Sequence, residues 1–95
     1  MDKGINKNEM LLLADKIEMY RSEELKLQES IKSVLDELKL CIQDDNFKTV
    51  SSRLNSLYED FETSIINKER YTELVLKIVN SYEAKEKEII NSVKW

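Results

Sequence analysis

Carboxylates are the most abundant reactive groups in this chain, and some stand side by side, as in Asp44-Asp45 and Glu59-Asp60. Paired acids do general acid–base work when a concave site drives their pKa values apart. Where 36% of the residues are charged, however, neighbouring acids also arise from any solvated surface. Histidine is absent, which removes the usual base near neutral pH and the commonest metal ligand. The Glu-x-x-His motif of di-metal helical bundles is excluded with it. Cys41 is the single cysteine, so neither an internal disulfide nor a cysteine zinc cluster can form. It reads as a small buried apolar residue suited to a reducing cytoplasm. No catalytic residue, metal ligand or cofactor is assigned, and the expected function is binding without catalysis.

Two spacings point to recognition. Tyr82 and Glu86 lie one helical turn apart, which puts an aromatic ring and a carboxylate on one face for a receptor to read. Tyr82 also falls on an apolar stripe, where it reads equally well as core. Glu24 and Lys68 are long charged residues that interrupt apolar stripes. Either both reach out to solvent, or they meet in a polar layer that fixes the register of two helices. With a turn centred between Asp44 and Asp45, Glu24 is expected opposite residue 65, about one turn from Lys68. Arg21 is a competing partner.

The elements that carry these residues follow from periodicity. One glycine and no proline in 95 residues leave few turn formers for a β-rich domain and favour long helices. Apolar residues recur in steps of three and four along Met10, Leu13, Ile17, Tyr20, Glu24, Leu27, Ile31, Val34, Leu38 and Cys41, a helical stripe interrupted only at Glu24. Asn6, three residues before Glu9, is placed to cap it. The pattern stops at Gln43-Asp44-Asp45-Asn46 and resumes at Phe47, continuing through Val50, Leu54, Leu57, Phe61, Ser64, Lys68, Tyr71, Val75, Ile78, Tyr82, Lys85, Ile89 and Ser92. Asp44, Asp45 or Asn46 can cap the second helix. The expected fold is all-α, an antiparallel two-helix hairpin forming one domain over residues 1–95. Its first helix should span about 7–42, its turn about 43–46 and its second helix about 47–93.

The stripe is wider than a two-stranded seam. Ala14, Leu35 and Ile42 flank it on the first helix, and Tyr58, Ile65, Val79 and Val93 on the second, with Leu74 on the other flank. Such a width suits three or four packed helices. A second hairpin, from a copy or a related protein, would complete a four-helix bundle. The residues expected at that partner interface are Leu13, Ile17, Tyr20, Leu27, Ile31, Val34, Leu38, Leu54, Leu57, Phe61, Val75 and Ile78. Core packing is also the expectation for the aromatic residues on or beside the stripe.

The net charge of −4 comes from 15 basic and 19 acidic residues that alternate along the chain without a basic stripe. Nucleic acid and anionic membrane are therefore disfavoured as partners. The run Met10–Ala14 is too short and too acidic in its flanks for a signal peptide, and much too short to span a bilayer. The chain is expected to be made as a soluble cytoplasmic protein.

A helix–short turn–helix chain of this length resembles the WXG family of early-secreted-antigen (Esx-like) proteins. The likeness runs from Ile5 to Ile90. It opens on Ile5, Met10 and Ala14, continues through Val50, Leu54, Leu57 and Phe61, and ends on Tyr82-Glu83-Ala84-Lys85-Glu86. This last segment matches the family's Tyr-x-x-x-Asp/Glu export element. Ile42-Gln43-Asp44 stands where Trp-x-Gly is usual, as in divergent members and in the small partners of larger LXG toxins. The resemblance implies a type VII secretion protein that leaves the cell without a cleaved signal peptide. It would be a homodimer, or a heterodimer escorting the helical N-terminal region of an LXG-type effector, with Tyr82 and Glu86 presented to the secretion machinery. A cytoplasmic coiled-coil adaptor or oligomerisation module, unconnected with secretion, would show the same stripe and charge.

Overall fold

The computed structural model describes residues 6–93, with side chains for residues 6–89. Two α-helices, α1 (Lys7–Cys41) and α2 (Asp45–Val93), pack side by side and antiparallel. The hairpin extends 78 × 20 × 15 Å. α1 opens on the expected cap: the Asn6 side chain accepts a hydrogen bond from the Glu9 N–H at 3.1 Å. At its other end the extended backbone of Ile42 breaks the helix, while the Ile42 N–H still donates to the Leu38 carbonyl.

The turn is shorter than the sequence suggested, because α2 begins at Asp45, two residues before Phe47. Asp44 explains the early start. Its side chain accepts from the Asn46 N–H at 2.9 Å, and its carbonyl accepts from the Phe47 N–H at 3.0 Å. One residue thus satisfies two amide donors that a helix start leaves open. No described residue has a positive φ, so the reversal requires no glycine.

The helices meet along a strict three–four recurrence. On α1 it runs Ala14, Ile17, Arg21, Glu24, Gln28, Ile31, Leu35 and Leu38, with Ile42 just past the end of the helix. On α2 it runs Phe47, Ser51, Leu54, Tyr58, Phe61, Ile65, Lys68, Thr72, Val75, Val79 and Tyr82. Every one of these residues is buried or half-buried. The seam is therefore centred one row away from the expected stripe. Ala14, Leu35 and Ile42, expected as flank, lie between the helices, whereas Leu13, Tyr20, Leu27, Val34 and Cys41 are exposed. Small and slender side chains explain the shift: Ala14, Gln28 and Thr72 allow a closer approach than a row of Tyr20, Leu27 and Tyr71. Cys41, expected to be buried, is an exposed free thiol on the last residue of α1.

This core is thin. Among the described residues the buried apolar side chains are Ala14, Ile31, Ile65, Val75 and Val79, and no large side chain is fully enclosed. Among the same residues no helix is long and apolar enough to cross a membrane.

Candidate functional site

Seven-residue spacing divides the two long sides of the hairpin. On α1 the exposed row Leu13, Tyr20, Leu27, Val34 and Cys41 adjoins the half-buried row Ile17, Glu24 and Leu38, with Ile31 buried in that row. On α2 the exposed residues Val50, Leu57 and Tyr71, together with half-buried Ser64 and Ile78, adjoin Leu54, Phe61, Lys68, Val75 and Tyr82. Antiparallel helices with the same row order turn equivalent rows to the same side. The contacts agree: Ser64, from the outer row of α2, bonds Glu24 across the seam. One side of the hairpin is thus a continuous apolar face.

Charged pairs line the opposite side. Arg21 bridges Glu18 at 3.0 Å and Glu69 at 3.3 Å, and Lys7 pairs with Glu83 at 2.7 Å. The Gln28 amide donates to Glu62 Oε2 at 2.6 Å and to the Tyr58 carbonyl at 3.2 Å. Lys7, Arg21 and Gln28 fall on a seven-residue repeat of α1, and Glu62, Glu69 and Glu83 on one of α2. These bonds fix the pairing level along that edge. The hydrogen bonds that Lys7 and Arg21 donate to Glu83 and Glu18 raise the pKa values of the two bases, and the Lys7 bond lowers that of Glu83. The exposed pairs contribute little stability in water.

One polar group interrupts the apolar face. Lys68 Nζ lies 2.6 Å from Glu24 Oε1 and 2.7 Å from Ser64 Oγ, and the Ser64 hydroxyl lies 3.0 Å from the same carboxylate oxygen. The contact between Glu24 and Lys68 is direct, not a turn apart, while Arg21 turns to the opposite edge. Burial works to raise the Glu24 pKa, but the bonds from Lys68 and Ser64 outweigh it and hold the carboxyl below its ordinary value of 4.5. Glu24 Oε2 is buried and accepts no hydrogen bond. The group sits at the middle of the hairpin: Glu24 is the central residue of α1, and Lys68 is one residue from the centre of α2.

The expected interface residues fall into three groups. Leu13, Tyr20, Leu27, Val34 and Leu57 are exposed on the face. Ile17, Leu38, Leu54, Phe61 and Ile78 are half-buried along its floor. Ile31 and Val75 are buried between the helices, so in the single hairpin they belong to its own core. Tyr71, expected in the core, is 61% exposed, and Tyr20 is 51% exposed; both are surface residues of this face. Three contributors were not singled out as site residues from sequence: Val50, Tyr71 and Ser64. Their seven-residue spacing with Leu57 is the signal that marks them. Tyr82 is half-buried in the seam with Lys85 Nζ 5.8 Å from its ring centroid, and Glu86 is exposed.

Chemically, the arrangement offers apolar area and one half-buried ion pair. Among the described residues no group of three or more His, Cys, Asp or Glu side chains could hold a metal ion. No family model, curated protein or solved structure matches the chain.

Proposed function

We propose that this protein is a non-catalytic pairing module that covers its apolar face with another pair of helices, forming a four-helix bundle. The observation that carries this reading is the face itself. Leu13, Tyr20, Leu27 and Val34 from α1 and Leu57 and Tyr71 from α2 are each 44% to 61% exposed on one side of the hairpin. Contiguous apolar surface on this scale marks a site of association. The thin core supports the same conclusion, since burial of this face would add the apolar area that the single hairpin lacks.

Within that reading, the module acts in type VII secretion, either as a co-secreted partner of a larger LXG-type effector or as a self-exported Esx-like substrate. Support comes from the sequence resemblance and from the position of Tyr82 and Glu86 one turn apart at the end of the hairpin away from its turn. Replacing both residues with alanine should block appearance of the protein in culture fluid while leaving its assembled mass unchanged. Normal export of that variant would refute the signal assignment. One observation favours a cytoplasmic adaptor instead: Tyr82 is half-buried in the seam, where it acts as core. An adaptor would stay inside intact cells, and the same substitution would lower helix stability rather than export.

A further inference from the structure

We propose that the hairpin opens as two separate halves with the Glu24–Lys68 layer as their boundary, and that opening of the half away from the turn releases Tyr82 from the seam. The inference concerns the single hairpin and does not depend on what covers the apolar face. The seam changes character at its middle. Arg21, Glu24 and Gln28 on α1 lie across from Ser64, Lys68 and Thr72 on α2, and each is buried or half-buried. Ile65 is the one buried apolar side chain of this stretch. Two buried side-chain oxygens that have no hydrogen-bond partner, Glu24 Oε2 and Thr72 Oγ1, also fall in it. A buried polar network left partly unsatisfied holds two helices together less well than apolar packing does.

The apolar stretches on either side of this layer are unequal. Toward the turn, Ile31, Leu35 and Leu38 line the seam with Leu54, Tyr58 and Phe61. In the open half, away from the turn, Ala14 and Ile17 line it with Val75, Val79 and Tyr82. The open-half side chains are more fully buried but mostly smaller. Hydrophobic stabilisation follows the apolar area removed from water, so the turn half holds the larger share. The short link between the helices also keeps the turn half together, and Asp44 caps α2 within it. At the other end, Lys7 and Glu83 form a partly exposed ion pair, which contributes little in water. Once unpaired, Lys7–Tyr20 is short enough to be marginal as a helix on its own. The open half is therefore the unit that separates first, as local segments of native proteins do.

Opening has a consequence for recognition. In the closed hairpin the Tyr82 ring is half-buried in the seam, while Glu86, one turn on, is exposed. Separation of the open half frees the ring from α1, so a receptor that reads both groups meets them together only in the opened state. This consequence alone rests on the export reading.

The test is native-state hydrogen exchange of the full chain, followed amide by amide by NMR. The amides of Ala14, Ile17, Val75 and Val79 should exchange at least about tenfold faster than those of Ile31, Leu35, Leu54 and Tyr58. The change should come as a step across Glu24 and Lys68. Association does not produce such a step, because the apolar face runs along both halves, with Leu13, Tyr20 and Tyr71 in one and Leu27, Val34 and Leu57 in the other. Equal rates, or a gradual slope inward from the helix ends as ordinary fraying gives, would overturn the proposal. Val79→Ala should speed exchange in the open half by about tenfold and leave the turn half unchanged. Equal acceleration of both halves would show one cooperative unit and overturn it. Glu24→Leu, Lys68→Leu and Thr72→Val together should bring the two halves to a common rate. A step that survives this replacement would overturn the layer as the boundary. Normal export of the Tyr82 and Glu86 double variant would remove the role given to the freed ring and leave the exchange pattern standing, so the two readings fail separately.

Discussion

Removing apolar bulk from the exposed face and from the seam should have separable effects. Leu27 is 50% exposed and Leu57 44% exposed, so about half of each side chain remains to be buried on association. Full burial of a leucine is worth about 1.5–3 kcal/mol, leaving roughly 1 kcal/mol per side chain for the interface. A symmetric pair carries both leucines twice. Leu27→Ala with Leu57→Ala should therefore weaken dimerisation by about 4 kcal/mol, or roughly a thousandfold in dissociation constant. The effect within a single hairpin should be small, because neither side chain lies between its helices. Ile65→Ala is the control, since Ile65 is 6% exposed and packs in the seam. It should destabilise the hairpin itself by about 2–5 kcal/mol. Sedimentation equilibrium over a dilution series measures association, and far-UV circular dichroism at the same concentrations follows helix content. The reasoning is refuted if the double variant associates as tightly as the native chain. It is equally refuted if that variant loses helicity at every concentration as Ile65→Ala does.

Further expectations concern the central layer and the helix starts. The folded pKa of Glu24 lies below its ordinary value, so its contribution is present above about pH 4.5 and is lost as pH falls through the lowered value. Acid unfolding followed by circular dichroism should show that loss in the native chain and a smaller one in Glu24→Gln. Joint replacement of Glu24 and Lys68 by leucine should leave thermal stability equal or higher, because buried ion pairs rarely outperform apolar packing, while blurring register or partner choice. Unchanged assembly with only a higher melting temperature would show that the pair specifies nothing. Asp44→Ala should cost about 1 kcal/mol in thermal denaturation, through loss of the side-chain bond at the start of α2. An unchanged melting temperature would mean that water replaces the bond without loss.

Much of the hairpin is legible in the sequence because one break interrupts two long three–four recurrences. The cap at Asn6 and the charged interruption at Glu24 and Lys68 are legible for local reasons: residue type and spacing name them. The centre of the seam is not. With three apolar rows on each helix, two neighbouring pairs of rows can face the other helix, and apolarity alone does not choose. Shape chooses, through small Ala14 against bulky Tyr20 and through slender Thr72 against Tyr71. Gln28 was hidden because a glutamine on a charged helix reads as surface. Its burial depends on the Tyr58 carbonyl and the Glu62 carboxylate, which only the folded pairing brings within reach. Ser64 reads as a gap in a stripe until Glu24 and Lys68 are placed beside it. The export role proposed for Tyr82 and Glu86 is not a matter of fold, and only the culture-fluid assay tests it.

The most direct measurement is the solution mass of the purified native chain by size exclusion with light scattering, across nanomolar to high-micromolar concentration. A two-hairpin bundle predicts a dimer near twice 11.2 kDa, with helix content that falls on dilution as the pair dissociates. A chain that remains a fully helical, cooperatively folded monomer at the highest concentration would contradict it, because the exposed face would then need no second copy.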